Sequence, residues 1–212
     1  MNKLYFGLSL FLLLSIRSAA QEEGLYQFTH NYFRSDPFQS EFSRFMEHLM
    51  KDPGITEKKI RLRTDTSLFY FYGAYTNYNP FFFKPKRVEV LLEEMPFQYT
   101  DSLPAEDTIL VYQLIAYGEN NEKGLKEIKK EFEKIHSKYK RRFFDSNYKE
   151  FTQNTAVTGG MHNYFVPLHG LSPLSIVWGK LDDSDTPVLN IILRIKTDEN
   201  QTVLPAPLYN TK

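Results

Sequence analysis

Residues 108–142 read TILVYQLIAYGENNEKGLKEIKKEFEKIHSKYKRR, an apolar run followed by an amphipathic one. The apolar run, residues 108–117, is dense in Ile, Leu, Val and Tyr, which predicts a central strand buried on both faces. The spacing of the second part predicts a long helix, opened by Asn120 or Asn121, with one face packed on a sheet. Its apolar residues recur three and four positions apart, at Leu125, Ile128, Phe132, Ile135 and Tyr139.

Upstream of this pair the sequence predicts one more helix and three more strands. Residues 21–35 are aromatic and irregular, and they predict an arm or a short strand. Asp36, Pro37 and Gln39 form a capping signal for a helix that ends at residues 52–54. Its apolar face is formed by Phe38, Phe42, Phe45, Met46 and Leu49. Alternating or aromatic runs then predict strands around residues 60–63, 67–75 and 87–93.

The C-terminal third predicts shorter elements. Residues 155–160 read as a glycine-bearing loop and residues 163–168 as a short strand. Residues 174–181 and 187–196 predict a closing hairpin with its turn at residues 182–185. The element order predicts one α+β domain over residues 21–197, a curved and mainly antiparallel sheet of about six strands packed against two helices. Residues 198–212 are expected to form an extended tail.

The N-terminal 20 residues have the pattern of a cleavable signal peptide. Lys3 precedes an apolar run of 13 residues, and Ser18-Ala19-Ala20 fits the cleavage pattern, so the mature chain is expected to begin at Gln21. A bilayer span takes about 20 residues. A buried N-terminal helix and an uncleaved anchor are the alternatives. Export to the periplasm or the extracellular space is the expectation.

Charge and composition exclude several classes of function. Without residues 1–20 the chain has 192 residues, with 24 basic against 26 acidic ones and a net charge of −2. Nucleic-acid-binding domains are normally strongly basic, so no nucleic-acid partner is expected. The chain contains no Cys, which excludes disulfides and a thiol nucleophile. No second apolar segment approaches membrane-spanning length.

The most unusual segment is Phe69–Phe83, where nine of fifteen residues are aromatic. Consecutive aromatic residues on a strand face opposite sides, so they need cover on both faces or a ligand. Tyr75 and Tyr78, which lie beside Gly73 and Asn77, are expected to be exposed. The candidate ligand-binding residues are Tyr72, Tyr75, Tyr78, Phe81 and Phe83. The alternative is that these aromatic residues belong to the core.

A basic cluster ends the long helix, with no acidic residue among its members. It is formed by Lys134, Lys138, Lys140, Arg141 and Arg142. Such a cluster is able to dock an anionic partner, such as a phosphate-bearing polymer or headgroup. Cations at a helix C-terminus are also favoured by the helix dipole, so a solvated face is the simpler interpretation.

His162 and His169, near Asp182–Asp185, are the candidate residues for acid–base chemistry. A separation of seven residues puts the two histidines on opposite faces of an unbroken strand, and the spacing matches no zinc motif. The Asp182–Asp185 loop lacks the glycine and the final glutamate of a calcium loop. His30, His48 and His136 are expected to be ordinary surface or boundary residues. No catalytic residue, metal ligand or cofactor is therefore assigned.

These observations predict a non-catalytic exported protein that binds a ligand, or another envelope or extracellular protein, through the aromatic segment. The common nucleophile, Walker and dinucleotide motifs are missing. One alternative is a hydrolase that uses His162, His169 and the Asp182–Asp185 loop. Another is a structural subunit whose second sheet face is covered by its own copy, as in a homo-oligomer.

Overall fold

The computed structural model describes residues 23–39, 41–62, 69–97, 107–143, 145–153, 156–165, 172–181, 185–197 and 203–205. Three helices lie within these ranges: α1 over residues 23–32, α2 over Phe42–Lys51 and α3 over Glu122–Tyr139. Among the described residues, no helix is long and apolar enough to cross a membrane. Short 3₁₀ turns precede α2 and follow α3, at Pro37–Gln39 and Lys140–Arg142.

The strands form one antiparallel sheet in the order β1-β2-β3-β4-β8-β7-β6-β5, and β9 pairs with the end of β8. Their bounds are Ile55–Leu62 (β1), Phe69–Tyr75 (β2), Arg87–Phe97 (β3), Asp107–Tyr117 (β4), Asp145–Gln153 (β5), Ala156–Phe165 (β6), Leu174–Lys180 (β7), Pro187–Thr197 (β8) and Val203–Pro205 (β9). Two four-stranded meanders, β1–β4 and β5–β8, therefore meet where β4 pairs with β8. α3 connects them.

The expected curved sheet of about six strands packed against two helices is wrong. Eight strands form the main path of the sheet and three helices are present in the described ranges. The additional elements are α1, β5 and most of β6. The sequence indicated an irregular segment where α1 lies and a glycine-bearing loop where β6 begins, and it gave no prediction for residues 145–153. The strand β9 lies inside the segment expected to be an extended tail.

The first helix, α1, occupies the segment that was expected to be an arm or strand. Its apolar residues Leu25, Phe28 and Tyr32 follow helical spacing, and all three are buried. The ring of Phe28 lies 4.8 Å from the ring of Tyr139 on α3. The predicted cap at Asp36 does form, because its Oδ1 accepts the N–H of Phe38 at 2.9 Å. This cap precedes the 3₁₀ turn at Pro37–Gln39, however, and α2 itself begins only at Phe42.

The first half of β6 was interpreted as a loop because it contains glycines. Gly160 lies in the middle of β6, where a Cβ atom would stand 2.3 Å from the Tyr148 hydroxyl and 2.8 Å from Nε1 of Trp178. Only glycine permits this close approach, so Gly160 marks packing inside a strand rather than a loop. The neighbouring β5 is an edge strand with mostly exposed residues. Since few of its positions are buried, its sequence shows little alternation of apolar and polar residues.

All three helices lie on one face of the sheet. Tyr112 on β4 packs against Phe33, just after α1, and against Phe45 of α2, while Phe132 of α3 approaches Trp178 on β7. The opposite face, here called the open face, is not covered by these helices. Burial of β4 on both faces is confirmed from Ile109 to Tyr112 only, because Gln113, Ile115 and Tyr117 are half-buried on the open face.

Candidate functional site

The loop between β2 and β3 separates the predicted aromatic residues into two groups. Tyr78 and Phe83 are buried, whereas Phe81 and Phe82 are 50% and 48% exposed. Pro80 immediately precedes the exposed pair, and its ring restricts the backbone and removes one N–H donor. We call Phe81 and Phe82 the aromatic tip.

A buried carboxylate on α3 holds the aromatic tip in place. Oε2 of Glu131 accepts the backbone N–H of Phe81 at 2.8 Å and that of Phe82 at 2.9 Å. The Glu131 residue is 0% exposed, and burial raises the pKa of its carboxyl while the two amide donors oppose the rise. Burying such a group is costly unless it is hydrogen-bonded. The two hydrogen bonds from Phe81 and Phe82 offset the free-energy cost of burying Glu131, and they fix the loop so that both phenylalanine side chains lie outward.

Two lysines of α3 lie beside the aromatic tip. Nζ of Lys134 and Nζ of Lys138 lie 5.9 and 5.6 Å from the centre of the Phe81 ring, within the range of cation–π attraction. In the described part of the chain, neither ammonium group forms an ion pair, unlike Lys123 and Lys126 at the start of the same helix. The aromatic segment and the basic helix end thus form one surface.

Of the five candidate ligand-binding residues, Phe81 alone lies at this tip. Tyr75, Tyr78 and Phe83 are buried in the core, so the expected exposure of Tyr75 and Tyr78 is wrong. The Tyr75 hydroxyl accepts the Arg34 N–H at 3.0 Å, which gives this residue a structural role. Tyr72 lies on the open face, where its hydroxyl donates to Oε1 of Glu89 at 2.9 Å.

Glu131 and Phe82 are the residues that the sequence reasoning missed. Glu131 lies three residues after Ile128 and four before Ile135, on the apolar face of the helix. A carboxylate among apolar positions at helical spacing is the signal that could have identified it, since charged residues are almost never fully buried without a partner.

His162 contacts His136, whereas the sequence had suggested His169 as its partner. Its ring stacks on His136 of α3 with ring centres 3.7 Å apart and an interplanar angle of 3°. Phe132 also stacks on His162, with ring centres 5.0 Å apart, and Nδ1 of His136 lies 2.9 Å from the Tyr164 hydroxyl. His136 is therefore part of an aromatic cluster between α3 and β6, not an isolated surface residue.

The histidine pair has the character of a packing element. Burial lowers the pKa of both imidazoles. The pKa of His162 falls to about 4, and the neighbouring ring of His136 contributes to that fall. Within the described residues, no carboxylate forms an ion pair with either ring and no group of three His, Cys, Asp or Glu residues is suited to a metal ion. His169 and residues 182–184 lie outside the described residues. Asp185 is exposed, with its Oδ1 3.2 Å from Nζ of Lys180.

No protein-family model, curated protein or solved structure matches this chain.

Proposed function

We propose that this chain is an exported, non-catalytic binding protein of the cell envelope or extracellular space. In this proposal the aromatic tip and its lysines dock onto an anionic lipid surface. The observation that carries it is the pair of half-exposed phenylalanines whose backbone N–H groups are both held by one buried carboxylate. Exposed apolar side chains that are held in a fixed position are typical of a surface that binds a partner.

A lipid surface fits this combination better than an acidic protein does. Aromatic side chains favour the membrane–water interface, and each lysine near an anionic surface contributes about 1 kcal/mol. Covering the remaining half of each phenylalanine adds about 1 kcal/mol per ring. Two rings and two ammonium groups therefore supply about 4 kcal/mol, which corresponds to a dissociation constant on the order of 1 mM. The association is weak and reversible, suited to a protein that visits a surface.

Vesicle binding tests the apolar half of this proposal. The purified protein is sedimented with phosphatidylcholine vesicles that contain or lack phosphatidylglycerol, and the bound fraction is measured. Replacing both tip residues, Phe81→Ser with Phe82→Ser, removes about 2 kcal/mol and so weakens binding about 30-fold. Ile60→Ser, which removes an apolar side chain that is 48% exposed elsewhere on the surface, is the matched control and leaves binding unchanged.

The charged half is tested on α3 itself. Lys134→Gln with Lys138→Gln weakens binding to phosphatidylglycerol vesicles by about tenfold or more, and added salt weakens the wild type in the same direction. Lys123→Gln with Lys126→Gln changes the net charge equally but leaves binding nearly unchanged, since those lysines already face Glu127 and Glu122. Equal loss in both pairs, or binding to soluble polyglutamate but not to vesicles, contradicts the lipid assignment.

Export is a separate part of the proposal. N-terminal sequencing of protein recovered outside the cytoplasm is expected to begin at Gln21. Material that still begins at Met1 contradicts cleavage.

A further inference from the structure

The open face carries a second feature, independent of the aromatic tip. Arg194 lies on β8, and its Nη1 donates to the Ser172 carbonyl oxygen at 3.0 Å and to Oγ of Ser175 at 2.7 Å. These contacts tie one corner of the guanidinium to the chain around the start of β7. The group is half-buried, so its orientation is set by the protein rather than by solvent.

Arg194 has no carboxylate within 4 Å of its guanidinium among the residues that the structure describes, and burial lowers its pKa. Arg87 on the same face is different, because its Nε lies 2.6 Å from Oε1 of Glu89. A cation withdrawn from water without a counter-ion is unfavourable, and an anion from solution would relieve that cost.

The guanidinium also keeps its binding edge free. Among the described contacts, only Nη1 is engaged, and neither Nε nor Nη2 has a hydrogen-bond partner. The N–H groups of Nε and Nη2 point the same way and match the two oxygens of a carboxylate.

The side chains that contact Arg194 are uncharged. Oγ of Ser175 donates to Oδ1 of Asn163 at 2.6 Å, and Asn163 donates in turn to Asn147 at 2.9 Å. The residue opposite Arg194 on β4 is Val111, and Lys196 follows on the same face two residues further along β8. A fixed guanidinium with uncharged contacts favours a planar carboxylate, whose two oxygens match its free edge.

We propose that the Nε–Nη2 edge of Arg194 is a binding subsite for the carboxylate of a small organic acid, held by two parallel hydrogen bonds on the open face of the sheet. The direct test is a titration of the ¹⁵N-labelled protein with acetate and with N-acetylglycine, followed through the arginine Nε–H resonances. The Arg194 resonance is expected to shift and saturate at millimolar ligand, while that of Arg87, already paired with Glu89, stays unchanged.

Anion type and variants complete the test. At equal ionic strength, chloride is expected to shift the Arg194 resonance at least about fivefold less than acetate, since a single atom cannot accept two parallel hydrogen bonds. Phosphate fits the fork but brings a second charge, so it is expected to shift the resonance less than acetate does. Arg194→Lys keeps the charge but loses the fork and weakens acetate binding about tenfold. Arg194→Met abolishes it, and Arg87→Met leaves it unchanged. An unmoved Arg194 resonance in the wild type overturns the proposal without any variant, and so does an equal response to all three anions.

Discussion

The two faces of the sheet differ in how their side chains are buried and paired. Along β4, Leu114 faces the helices and is fully buried, whereas its neighbour Ile115 faces the other way and is half-buried. The helix-covered face is filled by aliphatic and aromatic side chains from every helix. On the open face, several polar side chains form hydrogen bonds between neighbouring strands. Gln113 donates to Glu93 at 3.3 Å and accepts from Asn190 at 2.8 Å, and Tyr117 donates to Glu89 at 2.8 Å.

This difference teaches where stability and recognition reside. Burial of apolar area is the largest favourable term in folding, so the helix-covered face carries most of the stability. The open face makes hydrogen bonds that replace similar bonds to water, each of which contributes only about 1 kcal/mol. Its residues are accordingly able to serve purposes other than stability, as proposed for Arg194.

The largest effect is expected from adjacent truncations on the two faces. Leu114→Ala removes a fully buried side chain and leaves a cavity, which lowers the free energy of unfolding by about 3–5 kcal/mol. Ile115→Ala is expected to cost about 1–2 kcal/mol, since part of its surface already meets solvent. Urea unfolding followed by Trp178 fluorescence measures both. Equal losses would show that the open face is covered by something else, such as a second copy of the chain.

A smaller but still large effect is expected at Glu131, the carboxylate inside the covered face. Glu131→Leu leaves the N–H groups of Phe81 and Phe82 without an acceptor and is expected to cost about 3 kcal/mol of unfolding free energy. Glu131→Gln keeps an acceptor oxygen and should recover most of that loss. Glu133→Leu, at an exposed position of the same helix, is the control and should change stability by less than about 0.5 kcal/mol. Equal stability of the Leu and Gln variants at position 131 would contradict the anchoring role.

Sequence patterns predicted the elements whose burial leaves a clear mark on the sequence. Helix α3 and strand β3 show the period of one-sided burial, whereas β4 and β7 are apolar runs that are buried on both faces over part of their length. The first helix was missed although Leu25, Phe28 and Tyr32 have helical spacing, because aromatic residues also favour strands. In β6 the glycines were interpreted as a loop. Glycine is required at Gly160 because Tyr148 and Trp178, which belong to neighbouring strands, occupy the space that a side chain would need.

The candidate site was predicted in part for the same reason. The sequence identified Phe81 and the lysines separately, but whether an aromatic residue in a loop is buried depends on distant elements. Tyr78 is covered where the loop meets α1, as its ring lies 6.2 Å from that of Tyr32. The contacts of Glu131 with the tip span about 50 residues of sequence. Local periodicity carries no information on such pairings.

The smallest expected effect concerns the rim of the covered face, where His136 and His162 stack between α3 and β6. Because burial lowers the pKa of His162 to about 4, the unfolded chain binds its proton first, near the ordinary value of 6.5. Stability is therefore lost as the pH falls from about 6.5 to 4 and is not lost further at this residue below that range. The full shift corresponds to about 3 kcal/mol, which partial solvent exposure reduces to about 1–2 kcal/mol.

His162→Phe isolates this contribution, because it keeps a ring in the stack and removes the titrating group. The free energies of unfolding of the wild type and the variant are measured by urea at several pH values, and their difference cancels the carboxylates that titrate in the same range. We expect the variant to gain about 1–2 kcal/mol relative to the wild type between pH 6.5 and 4. A difference that stays flat over this pH range would contradict the contribution of His162.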